Sequence, residues 1–126
     1  MRQTLLMVDD HAGFRARARV LLEAEGYDVV GEAADGRSAI PAANLLRPDI
    51  AIVDIQLPDL DGFAVAHAIR SSGTAHRIIL ISGRDREDYG DRIDTADADG
   101  FIAKADLSGA RLAAVTVAAA SRLSIG

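Results

Sequence analysis

Cysteine and long apolar runs are both absent from this sequence of 126 residues. Without cysteine the chain can form no disulfide and no thiolate centre, which fits a cytoplasmic protein. No hydrophobic run approaches the roughly 18 residues that a membrane-spanning helix needs. Asp9 and Asp10 follow the first apolar run too soon for a signal peptide. We therefore expect a cytoplasmic domain that makes no contact with a membrane.

Basic residues are also scarce, because 14 lysines and arginines stand against 19 acidic residues, for a net charge of -5. This balance argues against direct nucleic-acid binding, which normally requires a basic surface. It fits a domain that gathers carboxylates around a divalent cation. With 49% hydrophobic residues, no repeats and no linker, the chain is expected to form a single domain over residues 1–126.

Residues 50–53 form an apolar run without polar alternation that leads directly into Asp54. Such a run is typical of a strand covered on both faces, as in a parallel sheet with helices on each side. Because the carboxyl ends of parallel strands line the ligand crevice, Asp54 is expected at a functional site. Pro58 and Gly62 mark the loop that follows it.

Strand and helix patterns alternate five times and predict a three-layer α/β domain. The strands are predicted at residues 5–8, 29–30, 50–54, 78–81 and 100–103, and the helices within 14–25, 35–46, 63–70, 84–98 and 107–119. Pro41 is tolerated if the second helix begins only near Ile40. The fourth pattern has few apolar anchors, namely Tyr89, Ile93 and Ala96, and predicts a poorly packed, mobile helix.

Four of the predicted strands end in residues whose side chains could take part in binding or catalysis. These residues are Asp9 with Asp10, Asp54, Ser82 and Lys104. These ends should converge at one edge of the sheet. Each residue alone has an ordinary explanation as a turn, cap or surface residue, so the hypothesis depends on their joint placement. His11, His67 and His76 show no ligand spacing and are interpreted as surface residues.

The chemistry that suits this set is phosphoryl transfer to a carboxylate, since aspartate can form an acyl phosphate. Mg²⁺ prefers oxygen ligands, and Asp9 or Asp10, Asp54 and a backbone carbonyl, that of Gln56, could supply three of them. Lys104 would pair with one phosphoryl oxygen, and the Ser82 hydroxyl would donate to another.

These motifs, taken in order, make the chain resemble the receiver domains of two-component response regulators over essentially its whole length. The motifs are Val8-Asp9-Asp10, Asp54 with Pro58 and Gly62 after it, Ser82-Gly83, and Lys104. The resemblance implies a flavodoxin-like (CheY-like) doubly wound fold, with a five-stranded parallel sheet in the order 2-1-3-4-5 and five helices.

The resemblance also implies a phosphorylation-activated signalling switch. Asp54 would accept a phosphoryl group from the phosphohistidine of a sensor histidine kinase, with Mg²⁺ held by Asp9, Asp10 and Asp54. Ser82 and Lys104 would contact the phosphoryl group, and Phe101 matches the family's aromatic switch position. Such a domain catalyses only its own phosphorylation and dephosphorylation.

We expect the signalling face to comprise the helix after Ser82, the fifth strand and the last helix, because the first of these has few apolar anchors. Through this face the domain would control an output domain or a partner, or form a homodimer. Only one helix and a short tail can follow Lys104, so no output domain is expected within residues 1–126. A stand-alone receiver and the receiver part of a longer regulator both remain open.

Two positions depart from the common family pattern. Ala105 follows Lys104 where many members have proline, and Gly83 stands where alanine is frequent, but neither change removes a catalytic group. The stretches 8–11, 14–15 and 30–36 are similar to receivers of LuxR-type (NarL/FixJ-like) regulators, which precede a helix-turn-helix domain and act in transcription regulation.

Three other functions fit the sequence less well. A dehalogenase-like phosphatase would carry a second aspartate two residues after Asp54, where this chain has Gln56. A dinucleotide-binding domain would have a glycine-rich loop after the first strand, where this chain has Asp9, Asp10 and His11. A degenerate receiver that acts as a protein-binding module without taking phosphate typically lacks an acidic or lysine position, and all are present here.

Overall fold

The computed structural model describes residues 2–125, with side chains up to Ala119. Five parallel strands form one sheet in the order β2-β1-β3-β4-β5, which confirms the predicted fold and strand order. The strands are β1 (Thr4–Val8), β2 (Asp28–Ala33), β3 (Ile50–Asp54), β4 (Arg77–Ser82) and β5 (Gly100–Ala103). No helix within the described residues is long and apolar enough to cross a membrane.

The central strand β3 is buried over all five of its residues. Its side chains alternate between two core clusters, with Ala51 and Val53 in one and Ile50 and Ile52 in the other. A strand that contributes to a core on each face must be apolar at every position, because successive side chains point to opposite sides. This explains why the apolar run that leads to Asp54 shows no polar alternation.

Four α-helices cover the two faces of the sheet: α1 (Ala12–Ala24), α2 (Gly36–Leu46), α3 (Gly62–Ser72) and α4 (Gly109–Ile125). Aspartate caps begin two of them. The side chain of Asp35 accepts a hydrogen bond from the Ser38 N–H at the start of α2, and that of Asp61 accepts from the Ala64 N–H at the start of α3. Both caps satisfy backbone donors that a helix N-terminus otherwise leaves unpaired.

Pro41 lies in the interior of α2, contrary to the expectation that the helix begins near Ile40. Interior proline removes one helical hydrogen bond and strains the preceding turn. The helix nevertheless starts at Gly36, because its first turn is held from two sides. Asp35 caps it, and the carboxylate of Asp59 accepts hydrogen bonds from the Gly36 and Arg37 N–H groups at 2.8 and 2.9 Å.

The connection between β4 and β5 forms a 3-10 helix, Arg86–Arg92, rather than an α-helix. This element ends well before Ala98, where the sequence pattern placed the end of the fourth helix. None of its side chains is buried, and Gly90 breaks it with φ 56° and ψ -136°. With so few apolar positions, the segment cannot gain the buried face that stabilises an amphipathic α-helix. A second, short 3-10 helix, Lys104–Asp106, follows β5.

Candidate functional site

The predicted site residues converge at the carboxyl edge of the sheet. Asp9 follows β1, whose last residue Val8 pairs in register with Val53 of β3, and Asp54 is the next residue. Asp54 itself is in register with Ile81 of β4, directly before Ser82. Asp9, Asp54 and Ser82 are almost fully buried, at 0%, 2% and 0% exposure. Polar groups so deeply buried need partners, and those partners define the site.

Lys104 links the two buried carboxylates. Its Nζ lies 2.6 Å from Asp9 Oδ2 and 3.1 Å from Asp54 Oδ2. Burial by itself would lower the pKa of Lys104, but its hydrogen bonds and ion pairs with Asp9 and Asp54 outweigh that effect and raise it. The ammonium is therefore held in its charged form where two negative charges meet.

The pKa of Asp54 is raised above its ordinary value, chiefly because burial disfavours the charged carboxylate. The Gln56 N–H donates to Asp54 Oδ1 at 3.1 Å and opposes this shift, as does Lys104, while the negative charge of Asp9 adds to it. The Asp54 carboxylate is therefore stabilised by any positive charge that is added nearby.

Four potential metal ligands lie together, since ligand atoms of Asp9, Asp10, His11 and Asp54 are all within 4.8 Å of one another. Asp9 Oδ2 is buried, and Lys104 Nζ at 2.6 Å is its ion-pair partner. A buried carboxylate oxygen with an open lone pair, beside further carboxylates, fits a hard cation such as Mg²⁺. The donor set therefore fits the predicted ion.

The backbone at Asp9 is held by a hydrogen bond from an arginine of α1, which the sequence did not predict. Arg15 of α1 donates to the Asp9 carbonyl oxygen at 2.5 Å, and its Nε donates to Glu32 of β2 at 2.9 Å. Burial alone would raise the pKa of Glu32, but the hydrogen bonds from Arg19 and Arg15 have the larger combined effect, so the pKa of Glu32 is lowered. The Asp9 side chain is oriented separately, because its Oδ1 accepts the His11 backbone N–H at 2.8 Å.

The loop after Asp54 returns closely to the strand it leaves. The Gly62 N–H donates to the Ile55 carbonyl at 2.7 Å. A Cβ at Gly62 would collide with the Asp54 carbonyl oxygen and with Ile55 Cα. Only glycine permits this approach, which explains the spacing from Asp54 to Gly62 in physical terms. The Gln56 carbonyl remains a predicted ligand from this loop.

The Ser82 hydroxyl already has two partners. Its Oγ accepts the Arg84 backbone N–H at 3.0 Å and lies 2.5 Å from the Tyr89 hydroxyl. The Tyr89 ring in turn packs between Phe63 and Phe101, with centroid separations of 6.1 and 6.3 Å. Phe101 therefore lies on the same aromatic row as a tyrosine that is bonded to Ser82.

A family model for the response regulator receiver domain matches residues 5–115. This chain belongs to that family. It is 30% identical over 113 residues to the DNA-binding transcriptional activator EvgA of Escherichia coli K12, covering 90% of this chain and 55% of EvgA. It is 39% identical to a protein-glutamate methylesterase/protein-glutamine glutaminase of Alkalilimnicola ehrlichii, covering 86% of this chain and 29% of that protein.

Solved receiver structures agree with this assignment. A LuxR-family two-component response regulator from Aurantimonas sp. SI85-9A1 superposes with TM-score 0.82 at 29% identity, over 96% of this chain and 87% of that one. This similarity confirms the predicted likeness to LuxR-type receivers. This receiver domain spans only part of the curated relatives that it matches, for example 55% of EvgA and 29% of the methylesterase.

Three residues of this receiver domain escaped the sequence analysis although they lie at its site. His11 is exposed, as predicted, yet its Nδ1 lies 3.2 Å from Asp9 Oδ1 and 3.1 Å from Asp10 Oδ1. The Phe14 ring lies under Lys104, with Nζ 4.8 Å from its centroid. Tyr89 bonds to Ser82. The position of His11 beside an acidic pair was the only available signal, because the other two contacts depend on tertiary packing.

Proposed function

We propose that this receiver domain is a phosphorylation-activated switch of a two-component system, acting in the cytoplasm. A sensor histidine kinase supplies the phosphoryl group and Asp54 accepts it. The observation that carries this proposal is the burial of Asp54 at the edge of the sheet, 3.1 Å from Lys104 and beside Asp9. A carboxylate in that setting is a nucleophile held next to fixed positive charge.

The transfer forms a bond between an Asp54 carboxylate oxygen and phosphorus while the phosphorus–nitrogen bond of the donor phosphohistidine breaks. Charge on the transferred group is spread over three oxygens, so catalysis consists mainly of positioning and neutralisation. Lys104 would turn from the carboxylates toward one phosphoryl oxygen, and Ser82 would donate to another. The acyl phosphate brings additional negative charge next to Asp9, which Lys104 and a bound cation would neutralise.

Mg²⁺ would be held by Asp9, Asp10, Asp54 and the Gln56 carbonyl, where it would neutralise charge on the phosphoryl oxygens. Binding should stabilise the fold in proportion to the logarithm of Mg²⁺ concentration above the dissociation constant. We expect the melting temperature of the parent to rise in millimolar Mg²⁺. In Asp10→Ala this response should shrink, while the metal-free protein should be no less stable than the parent. A melting temperature of the parent that does not change with Mg²⁺ would argue against the site.

The output of the switch is expected at the face made by the 3-10 helix Arg86–Arg92, β5 and α4. Ser82 and Phe101 are the proposed switch residues, and the face would control a linked output domain, a partner or a second copy of the domain. The DNA-binding relative EvgA supports a role in transcription regulation for a longer regulator, without nucleic-acid contacts by this domain. Ser82→Ala and Phe101→Ala should both still accept phosphate but show reduced changes in amide exchange between Arg84 and Phe101.

The decisive test is incubation with Mg²⁺ and acetyl phosphate followed by intact-mass measurement. The parent should gain one phosphoryl group, and Asp54→Asn should gain none. Asp91→Asn, an exposed aspartate in the β4–β5 connection, is the matched control and should be modified like the parent. An unmodified parent would favour the alternative, a degenerate receiver that acts only as a protein-binding module. Normal modification of Asp54→Asn would move the acceptor to another residue.

A further inference from the structure

The Ser82 hydroxyl is almost saturated as an acceptor. Ser82 is fully buried, and a hydroxyl oxygen offers one proton and two lone pairs. The Arg84 backbone N–H, at 3.0 Å, fills one lone pair. Tyr89 Oη, at 2.5 Å, lies where it can either donate to the second lone pair or accept the Ser82 proton. The direction of this single bond therefore decides where the Ser82 proton points.

Two proton arrangements follow from this geometry. When Ser82 donates to Tyr89, no proton is available for a group on Asp54. When Tyr89 donates to Ser82, both lone pairs of Ser82 are filled, and its proton can only be given to a further acceptor. A phosphoryl oxygen on Asp54 would be such an acceptor, because Ser82 follows Ile81, the register partner of Asp54.

We propose that Tyr89 is a positioning residue, whose hydroxyl turns the Ser82 proton toward the phosphoryl group on Asp54 by donating to Ser82 Oγ. This inference rests on the proposed function of Asp54. Phosphorylation then reverses the bond between the two hydroxyls, and Tyr89 changes from acceptor to donor. No heavy atom of the tyrosine needs to move for this reversal to occur.

Tyr89 is placed where a reversal of its hydrogen bond can affect residues outside the site. Its ring contacts Phe63 of α3 and Phe101 of β5, and Tyr89 lies within the 3-10 helix Arg86–Arg92. That helix buries none of its side chains, and this hydroxyl pair joins it directly to Ser82 at the site. The hydroxyl thus joins the phosphoryl group to the proposed signalling face through a hydrogen bond rather than through a moving ring.

The first test is a double-mutant cycle on the rate of phosphoryl gain from acetyl phosphate with Mg²⁺. Tyr89→Phe keeps the ring and should slow phosphorylation about 3- to 10-fold, the range that one hydrogen bond supports. In the Ser82→Ala background the same change should alter the rate less than about twofold, because the residue through which it acts is gone. Tyr27→Phe, which removes a buried hydroxyl elsewhere, is the control and should match the parent.

The second test uses absorbance, since the sequence has two tyrosines and no tryptophan. In Tyr27→Phe the near-ultraviolet tyrosine band belongs to Tyr89 alone. Phosphorylation should shift this band to longer wavelength, as expected for a phenol that becomes a donor. The shift should be absent in Tyr27→Phe/Ser82→Ala, even where that variant becomes phosphorylated.

The outcomes separate this inference from the proposed function. A parent that gains no phosphoryl mass overturns both. A parent that is modified, while Tyr89→Phe is modified at the same rate or slows equally with and without Ser82, overturns the role of Tyr89 alone. A band shift that survives in Tyr27→Phe/Ser82→Ala also contradicts it, because Tyr89 would then respond to something other than Ser82.

Discussion

The connections from β3 to β4 and from β4 to β5 each join two neighbouring parallel strands, but they differ in how many side chains their helix buries. The first contains α3, which buries Gly62, Val65, Ala66 and Ile69. The second contains the 3-10 helix Arg86–Arg92, which buries none of its side chains. The second is held mostly by polar contacts, among them the Ser82–Tyr89 bond, an Arg86–Asp94 ion pair and a capping box between Asp85 and Asp88, and Ile93 is its buried apolar residue.

This difference separates the segment after Asp54, where phosphorylation is proposed, from the segment after Ser82, where the conformational response is proposed. The loop that follows Asp54 leads into a helix fixed by apolar packing, so the proposed acceptor carboxylate should hold its place. The polar contacts of the connection that begins at Ser82 individually contribute about 1 kcal/mol or less. A change of a single hydrogen bond at Ser82 can therefore alter the second connection without disturbing the first.

The largest expected difference between the two connections is in backbone amide exchange. Amides of α3 should be protected by close to the full stability of the domain, while amides of residues 84–98 should open locally. We expect at least about a hundredfold faster exchange in the second segment, measured by mass spectrometry or NMR. Phosphorylation should change exchange mainly there. Equal protection in both segments, or changes confined to 26–46, would contradict the comparison.

A pair of matched isoleucines tests the packing directly. Ile69 in α3 is fully buried within a core cluster, whereas Ile93 is buried but belongs to neither cluster. Ile69→Ala should lower the free energy of unfolding by ~3–4 kcal/mol and Ile93→Ala by ~1–2 kcal/mol, because fewer neighbours surround the second cavity. Urea unfolding provides both values. Similar losses for the two variants would mean that the second connection is packed as firmly as the first.

A pair of glycines tests the backbone in the same way. Gly62→Ala should cost ~2–3 kcal/mol and slow phosphorylation, because the new methyl group collides with the Asp54 carbonyl. Gly83, directly after Ser82, has open space around its missing Cβ, so Gly83→Ala should stay within ~0.5 kcal/mol of the parent. If the two substitutions are equally harmless in thermal unfolding and in phosphorylation rate, the loop after Asp54 is not rigid.

The smallest expected effect concerns charge. The native pKa of Asp54 lies above 3.8, so the native state retains its proton to higher pH than the unfolded state. The free energy of unfolding should therefore fall as pH rises from about 3.8 through the native pKa, and remain reduced above it. Asp54→Asn should be more stable than the parent at neutral pH, with the advantage vanishing at low pH. An Asp54→Asn variant that is less stable than the parent at neutral pH would contradict this prediction.

The sequence predicted the parts of this molecule that depend on local pattern. Continuous apolar runs predicted the strands, and the residues at their ends predicted the candidate site, because a parallel sheet brings those ends together. It did not predict the 3-10 helix, since sparse apolar positions such as Tyr89 and Ile93 suit several backbone forms. Nor did it predict that α2 continues through Pro41, because the hydrogen bonds of Asp59 to its first turn come from a distant loop.

Asp59 also has a consequence for how this domain could be re-engineered. Its carboxylate lies in the loop after Asp54 and accepts hydrogen bonds from the first two residues of α2. These bonds tie the loop after Asp54 to the start of α2, so the two segments should move together. Backbone hydrogen bonds, that of Gly36 first, hold the pKa of Asp59 below its usual value, so the link persists in mildly acidic solution. Foreign peptides inserted between Asp54 and Asp61 should therefore be rejected, whereas the open, solvent-exposed turn at Gly90 should accept them.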